Sequence, residues 1–334
     1  MTALVPPRSL YRSILKWGSV IGLSILAGAM LHATFFTGTA PLISDALRIK
    51  TTTSTSLTNP LLECAELPKN LTGGERLILQ NEITQFFNQK KSEGVLTEAA
   101  VYYRDLNNGP WFGFEEERKY NPGSLLKLPL ATSFYLRAEH EPDLMKRQIE
   151  YQKGKNNLET PQPFSTFTGL ENKVYTIEEL IKIMLTESSN EAALALAQIA
   201  GPEQIASIYN DFGIEAPSSG VDYGVDARTY SSFFRILYNA TYLDRLASEV
   251  ILEMLIESKF KNGLVAGVPA GVKVAHKFGS REVAGEASRQ LHDCGIIYAP
   301  GRPYILCVMT HGNDFEDLAD VIRAVSAMVY KSVS

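Results

Sequence analysis

The sequence predicts an α+β fold of two lobes. One is an antiparallel sheet flanked by the terminal helices, and the other is all-helical. Three observations carry this reading. Ala100-Val101-Tyr102-Tyr103 and Trp111-Phe112-Gly113-Phe114 bracket the turn Asn107-Asn108-Gly109, a hairpin pattern. The last third of the chain alternates apolar and polar residues in three further runs. Between these two regions lies a block of helical periodicity. Hairpin connections imply antiparallel pairing. The chain has 334 residues, of which 45% are hydrophobic and 21% charged. That composition suits one large domain with additions.

The N-terminus differs in kind. Arg8, Arg12 and Lys16 precede the uncharged run from Trp17 to Phe36. About twenty such residues cross a bilayer as a helix, and the basic flank keeps residues 1–16 in the cytoplasm. The expectation is a membrane-anchored protein with an N-terminal transmembrane helix over 17–36 and its catalytic domain outside. A cleaved signal peptide is the alternative, since small-residue spots such as Ala27-Gly28-Ala29 occur. Residues 37–70 read as a flexible linker, being almost all Ser and Thr from Thr51 to Thr58. Residues 71–334 then form the folded domain.

Within that domain Leu77, Leu79, Ile83, Phe86 and Phe87 stripe a helix over Glu75–Lys91. The hairpin follows and leads to Asn121-Pro122-Gly123-Ser124, a turn that opens an apolar helix reaching about Arg137. Pro129 inside it is expected to lose a hydrogen bond and bend the axis. Residues 151–172, with Pro161 and Pro163, read as loop. Thr176 and Glu179 form a capping box for the next helix. Glu191–Ala200 is a buried helix that Gly201-Pro202 ends while starting another, and two amphipathic helices follow near Asp226–Tyr238 and Leu243–Ser258. Strands are expected at Gly271–Lys277, Cys294–Tyr298 and Tyr304–Thr310, then a closing helix over Asp314–Lys331. A hairpin turning at Pro300-Gly301 sets Cys294 opposite Cys307. Packed thiols are the expectation, and a disulfide is the alternative that an oxidising compartment permits.

Several function classes are excluded at this level. A net charge of −5 gives no reason to expect nucleic acid. Three cysteines and five histidines without ligand spacing argue against a metal. No cofactor is expected, and a monomer is.

Chemistry concentrates in three short motifs. Ser124 and Lys127 lie one turn apart on one helix face, so the amine can reach the hydroxyl. Ser188-x-Asn190 sits at a junction between helices, and Lys277-x-Gly279 ends a strand beside the cleft. Ser-x-x-Lys also occurs at Ser13 and Ser258, and Lys-x-Gly also at Lys16 and Lys261. Order and placement therefore carry the signal. The plain alternative is that Ser188 and Asn190 only cap a helix and Lys277 is a solvated strand end.

In that order, Ser124-Leu125-Leu126-Lys127, Ser188-Ser189-Asn190 and His276-Lys277-Phe278-Gly279-Ser280 resemble the penicillin-recognising serine enzymes. These are the class A β-lactamases and the related D-Ala-D-Ala peptidases. The resemblance covers about residues 70–334. It implies the β-lactamase/transpeptidase-like fold and a β-lactam or cell-wall peptide as substrate. It implies that Ser124 is acylated and that Lys127 acts as its base when neutral, a state favoured by burial and by a second cation. Ser188 would relay the proton. Asn190 would bind the substrate amide, and Lys277 would attract its carboxylate. Gly279 and Ser280 would line the site, with the Ser124 and Ser280 N–H groups forming an oxyanion hole. Three departures stand out. Ser189 replaces an aspartate, and Phe278 replaces a threonine whose hydroxyl would hold a carboxylate. No Glu-x-x-x-Asn follows Asn190 before Asp226. Glu215 and Asp222 are the only acids in the corresponding loop. Slow deacylation is the expectation.

Overall fold

The computed structural model describes residues 56–59, 71–154, 163–216, 223–282 and 287–334. The expected cytoplasmic segment, membrane span and most of the linker lie outside them. Among the described residues no helix is long and apolar enough to cross a membrane.

Helix α1 (Gly73–Ser92) starts at a capping box in which Thr72 and Glu75 satisfy each other's backbone N–H. Strands β1 (Leu96–Asp105) and β2 (Trp111–Phe114) form the expected hairpin. A 3₁₀ turn, Gly123–Leu126, leads into α2 (Lys127–Ala138). Two short strands, β3 (Gln148–Tyr151) and β4 (Lys173–Thr176), then pair into a separate ribbon. They flank the stretch 151–172 expected as loop, and neither is expected from the sequence, because four-residue strands carry too little alternation to register. The helical lobe continues with α3 (Ile177–Thr186), α4 (Asn190–Asp211), which is broken as expected at Gly201, φ 74°, ahead of Pro202, then α5 (Ala227–Asn239) and α6 (Arg245–Ile256). Strands β5 (Val274–Glu282), β6 (Arg289–Ile297) and β7 (Tyr304–Gly312) precede the closing helix α7 (Phe315–Val333).

The five-stranded sheet has the order β2-β1-β7-β6-β5 and is antiparallel throughout. Its alternation divides the core. Ala99, Val101 and Tyr103 of β1 face a cluster with Leu79, Ile83 and Phe87 of α1 and Leu318, Ile322 and Val325 of α7. Ala100 and Tyr102 face the other way, into a cluster with Leu128, Phe134, Leu180 and Phe233 of the helical lobe. The terminal helices thus cover one face and the lobe the other.

Three local expectations change. Pro129 is the third residue of α2, inside the first turn, where N–H groups lack intrahelical partners. The carbonyl four residues earlier, Leu125, accepts the Tyr230 hydroxyl at 2.9 Å instead. Strand β5 runs on to Glu282, so Lys277 lies mid-strand; the pairing of Gly279 with His292 and Ser280 with Leu291 extends it. Cys294 and Cys307 do face each other in the β6–β7 register, and they are joined as a disulfide rather than packed as thiols.

Residues 56–59, within the stretch read as a linker, are docked. Glu249 of α6 accepts hydrogen bonds from the backbone N–H groups of Leu57 and Thr58 and from the Thr58 hydroxyl. Burial raises the Glu249 pKa, but the hydrogen bond from the Ser56 hydroxyl, together with those from Thr58 and Leu57, outweighs it and leaves the carboxyl below its ordinary range. Tyr298 donates to the Leu57 carbonyl at 2.8 Å, and Leu57 itself is buried.

Candidate active site

The turn that carries Ser124 is fixed from several sides. The Asn121 side chain accepts the Gly123 N–H at 3.1 Å, an Asx turn. The Asn121 N–H donates to Gln290 Oε1, and the Asn121 carbonyl accepts from His292 Nε2, both at 3.1 Å. Thr310 N–H donates to His292 Nδ1, which assigns the ring proton to Nε2. Burial pushes the His292 pKa down to about 4, so the ring is neutral as this bonding requires.

The turn also lies directly against β5. A Cβ at Gly279 would sit 2.3 Å from the Pro122 carbonyl oxygen, and one at Gly123 would sit 2.5 Å from the Ser280 carbonyl oxygen. Gly123 also has φ 50°, a left-handed conformation that favours glycine. Both positions are glycine because two backbones touch there.

Side chains converge from three elements. Lys127 Nζ donates to Ser124 Oγ at 2.9 Å and to Asn190 Oδ1 at 2.8 Å. It also donates to the Ser188 carbonyl and reaches Ser188 Oγ at 3.3 Å. Lys277 Nζ donates to Ser188 Oγ at 2.9 Å and to the Phe278 carbonyl at 2.8 Å. The structure therefore brings Ser124, Lys127, Ser188, Asn190 and Lys277 into one hydrogen-bonded group, with Gly279 and Ser280 packed against the turn. Ser188 and Lys277 are fully buried, Lys127 is 6% exposed and Ser124 is 8% exposed.

Ser188 has φ 60°, an uncommon left-handed conformation for a residue with a Cβ. It turns both the carbonyl and the hydroxyl of Ser188 to Lys127. Ser189 caps α4 by accepting the Ala192 N–H at 3.2 Å. The serine at the aspartate position thus does the capping, and Ser188 and Asn190 are turned to the lysines.

Burial, followed by the charge of Lys127, lowers the Lys277 pKa well below the ordinary amine range, although Asp293 opposes this. The two amines share one hydroxyl and so lie within about 6 Å of each other. Two positive charges there would repel by ~3 kcal/mol at an effective dielectric of 20. The arrangement favours one proton fewer than two ammonium groups would carry.

Phe278 does not occupy the cleft. Its ring is buried and stacks on Phe260 with centroids 4.5 Å apart, and Lys277 Nζ lies 4.4 Å from its centroid. Glu215 is exposed, and Asp222 lies outside the described residues. Among the described residues no cluster of His, Cys, Asp or Glu could hold a metal ion.

Sequence reasoning missed four supporting groups. Gln290 and His292 hold Asn121, and Tyr230 holds Leu125. The fourth, Glu191, is buried and accepts the Leu170 N–H at 2.7 Å, tying the preceding loop to the Ser188 junction. Their partners are backbone atoms distant in sequence, so no motif marks them. Only the alternation of β6, had it been read back to Arg289, would have pointed His292 inward.

Gly279→Ala forces the Ser124 turn off β5. It is expected to lower stability by about 1–3 kcal/mol. An unfolding free energy equal to that of the wild type would refute this contact. His292 binds no proton in the folded state between pH 6.5 and about 4, whereas the unfolded chain does. Stability from this group is therefore full above pH 6.5 and is lost as pH falls toward 4, by roughly 3 kcal/mol at most. His292→Gln should flatten that part of a plot of melting temperature against pH. Equal slopes for the two proteins would count against it.

Residues 78–333 match the model of the family described as "Beta-lactamase enzyme family". Among solved structures, PBP-A aligns over 80% of this chain and 98% of its own, at 19% identity and TM-score 0.65. The extended-spectrum β-lactamase TLA-3 aligns over 76% and 98%, at 18% identity and TM-score 0.67. A β-lactamase from Burkholderia phymatum aligns over 78% and 100%, at 19% identity and TM-score 0.63. At these identities the likeness shows the fold, which is the β-lactamase/transpeptidase-like one. A search of curated proteins finds no match. The family match spans most of the chain, and the chain belongs to the beta-lactamase enzyme family.

Proposed function

We propose that this member of the beta-lactamase enzyme family is a serine acyl-hydrolase that forms an acyl-enzyme on Ser124. The observation that carries the reading is the buried chain Ser124–Lys127–Ser188–Lys277, with every link at hydrogen-bond distance. The substrate is a β-lactam or a related cell-wall peptide amide.

In this mechanism the neutral Lys127 amine takes the Ser124 proton as Oγ bonds to the carbonyl carbon. The carbonyl oxygen becomes an oxyanion, stabilised by the N–H groups of Ser124 and Ser280. The C–N bond then breaks. Its nitrogen receives the Ser188 hydroxyl proton, and Lys127 returns the serine proton to Ser188. Lys277 attracts the substrate carboxylate, and Asn190 hydrogen-bonds the substrate amide. Water must then cleave the ester. No glutamate stands at the expected spacing to activate that water, so we place deacylation among the slow steps.

A peptidase acting on D-Ala-D-Ala ends, that is, a penicillin-binding protein, is the second reading. It is supported by the lack of a Glu-x-x-x-Asn between Asn190 and Asp226, since the two readings differ in how the acylated serine is cleared. A non-catalytic descendant would keep the fold and lose the acylation. Intact-mass measurement after benzylpenicillin separates these. A whole-penicillin adduct is expected on the wild type and none on Ser124→Ala. Absence of an adduct on the wild type at large excess would reject the acyl-enzyme. With a chromogenic cephalosporin, a burst followed by a slow phase is expected, and sustained rapid turnover would reject slow deacylation. Release of D-Ala from a D-Ala-D-Ala peptide would select the peptidase.

The anchor belongs to the same proposal. The basic flank and uncharged run at 17–36 support a membrane-held enzyme with an extracytoplasmic, monomeric catalytic domain near the wall. The full chain should stay with membranes through an alkaline wash. Release of an intact full-length chain by that wash would refute the anchor.

A further inference from the structure

A cavity of about 680 Å³ lies between the β1–β2 hairpin and α5, and none of the seven proposed site residues lines it. Its charge is unbalanced. Lys119 pairs with Asp226 at 2.5 Å, and Arg228 pairs with Glu117 at 2.8 Å. Both acids lining the cavity are therefore taken. Arg104 and Arg235 line it as well, and among the described residues no acidic side chain pairs with either. The cavity thus carries two cations in excess.

One wall is aromatic. Trp111 is 41% exposed, lies 5.8 Å from the Tyr102 ring, and has the Arg228 guanidinium 4.7 Å from its centroid. The hydroxyls of Thr229 and Ser232 complete the wall formed by α5. The volume falls in the range of small-molecule sites. A guanidinium presents a planar fork that matches a carboxylate, and the part of the Trp111 indole that Arg228 and Tyr102 leave exposed offers an apolar surface to a sugar ring. Hydroxyl-bearing walls suit a ligand that is itself rich in hydroxyls.

We propose that this cavity is an accessory binding site for a carboxylate-bearing sugar. Arg104 and Arg235 receive its acid, and the ring lies beside Trp111. The site is separate from Ser124, and its ligand is bound without being acylated. The inference does not rest on the acyl-enzyme mechanism.

The chain has two tryptophans, Trp17 and Trp111. The full-length Trp17→Phe protein therefore reports from Trp111 alone. Titration with N-acetylmuramic acid is expected to change its fluorescence saturably. N-acetylglucosamine, which lacks the carboxylate, and lactate, which lacks the sugar, are expected to bind at least fivefold more weakly. Arg104→Gln and Arg235→Gln, each in the Trp17→Phe background, are expected to weaken the sugar acid at least fivefold while leaving the penicillin adduct on Ser124 unchanged. No saturable change, equal affinity for either control compound, or unchanged binding in both arginine variants would overturn the proposal. The penicillin measurement is independent of it, so failure of this site and failure of the acyl-enzyme reading are distinguishable.

Discussion

Everything in the candidate site depends on the approach of one backbone to another. The Ser124 turn rests against β5 so closely that neither Gly123 nor Gly279 has room for a side chain. This contact places the start of α2 beside Lys277, on a strand far later in the chain. Asn121, Gln290, His292 and Tyr230 hold the turn there by hydrogen bonds from β6 and α5. Because these bonds are buried or partly buried, leaving one unmade strands a polar group with little access to water, and the turn has few alternative positions.

The second constraint is electrostatic. Two lysines meet at one serine hydroxyl in a place that water scarcely reaches. Neither burial nor mutual repulsion favours two ammonium charges there, and the hydrogen bonds to Ser188, Asn190 and the Phe278 carbonyl compensate only in part. The left-handed backbone at Ser188 belongs to this arrangement. It is a strained conformation held by contacts on both sides, and it directs two oxygen atoms of one residue at Lys127. Ser189 relieves the junction by capping α4, which an aspartate would also do. The exchange at that position therefore keeps the geometry.

Phe278 is the clearest departure from the family's pattern, and its surroundings explain how it is tolerated. The ring turns into the apolar layer between the sheet and the terminal helices and stacks on Phe260. The position loses a hydroxyl without closing the cleft. Substrate recognition there would rely on Lys277 and on what the β5 edge presents.

Much of the fold is legible in the amino-acid sequence alone. The apolar periodicity of α3 and α7, the capping box at Thr176, the break at Gly201-Pro202 and the Cys294–Cys307 register are local facts, and local physics fixes them; the stripe expected on α1 holds at Leu79, Ile83 and Phe87 but not at Leu77, which is exposed. The three motifs are legible because each packs its chemistry into three or four residues. The tertiary structure decides the rest. Whether Pro129 breaks its helix depends on where the first turn begins. The extent of β5 depends on its partner β6. The roles of His292, Gln290, Tyr230 and Glu191 depend on backbone atoms brought close only by folding. The fate of Phe278 depends on Phe260. A sequence carries patterns that repeat at the period of a helix or strand. It does not carry the contacts made where distant elements cross, and the cavity beside Trp111 and the shared hydroxyl of Ser188 are both products of such crossings.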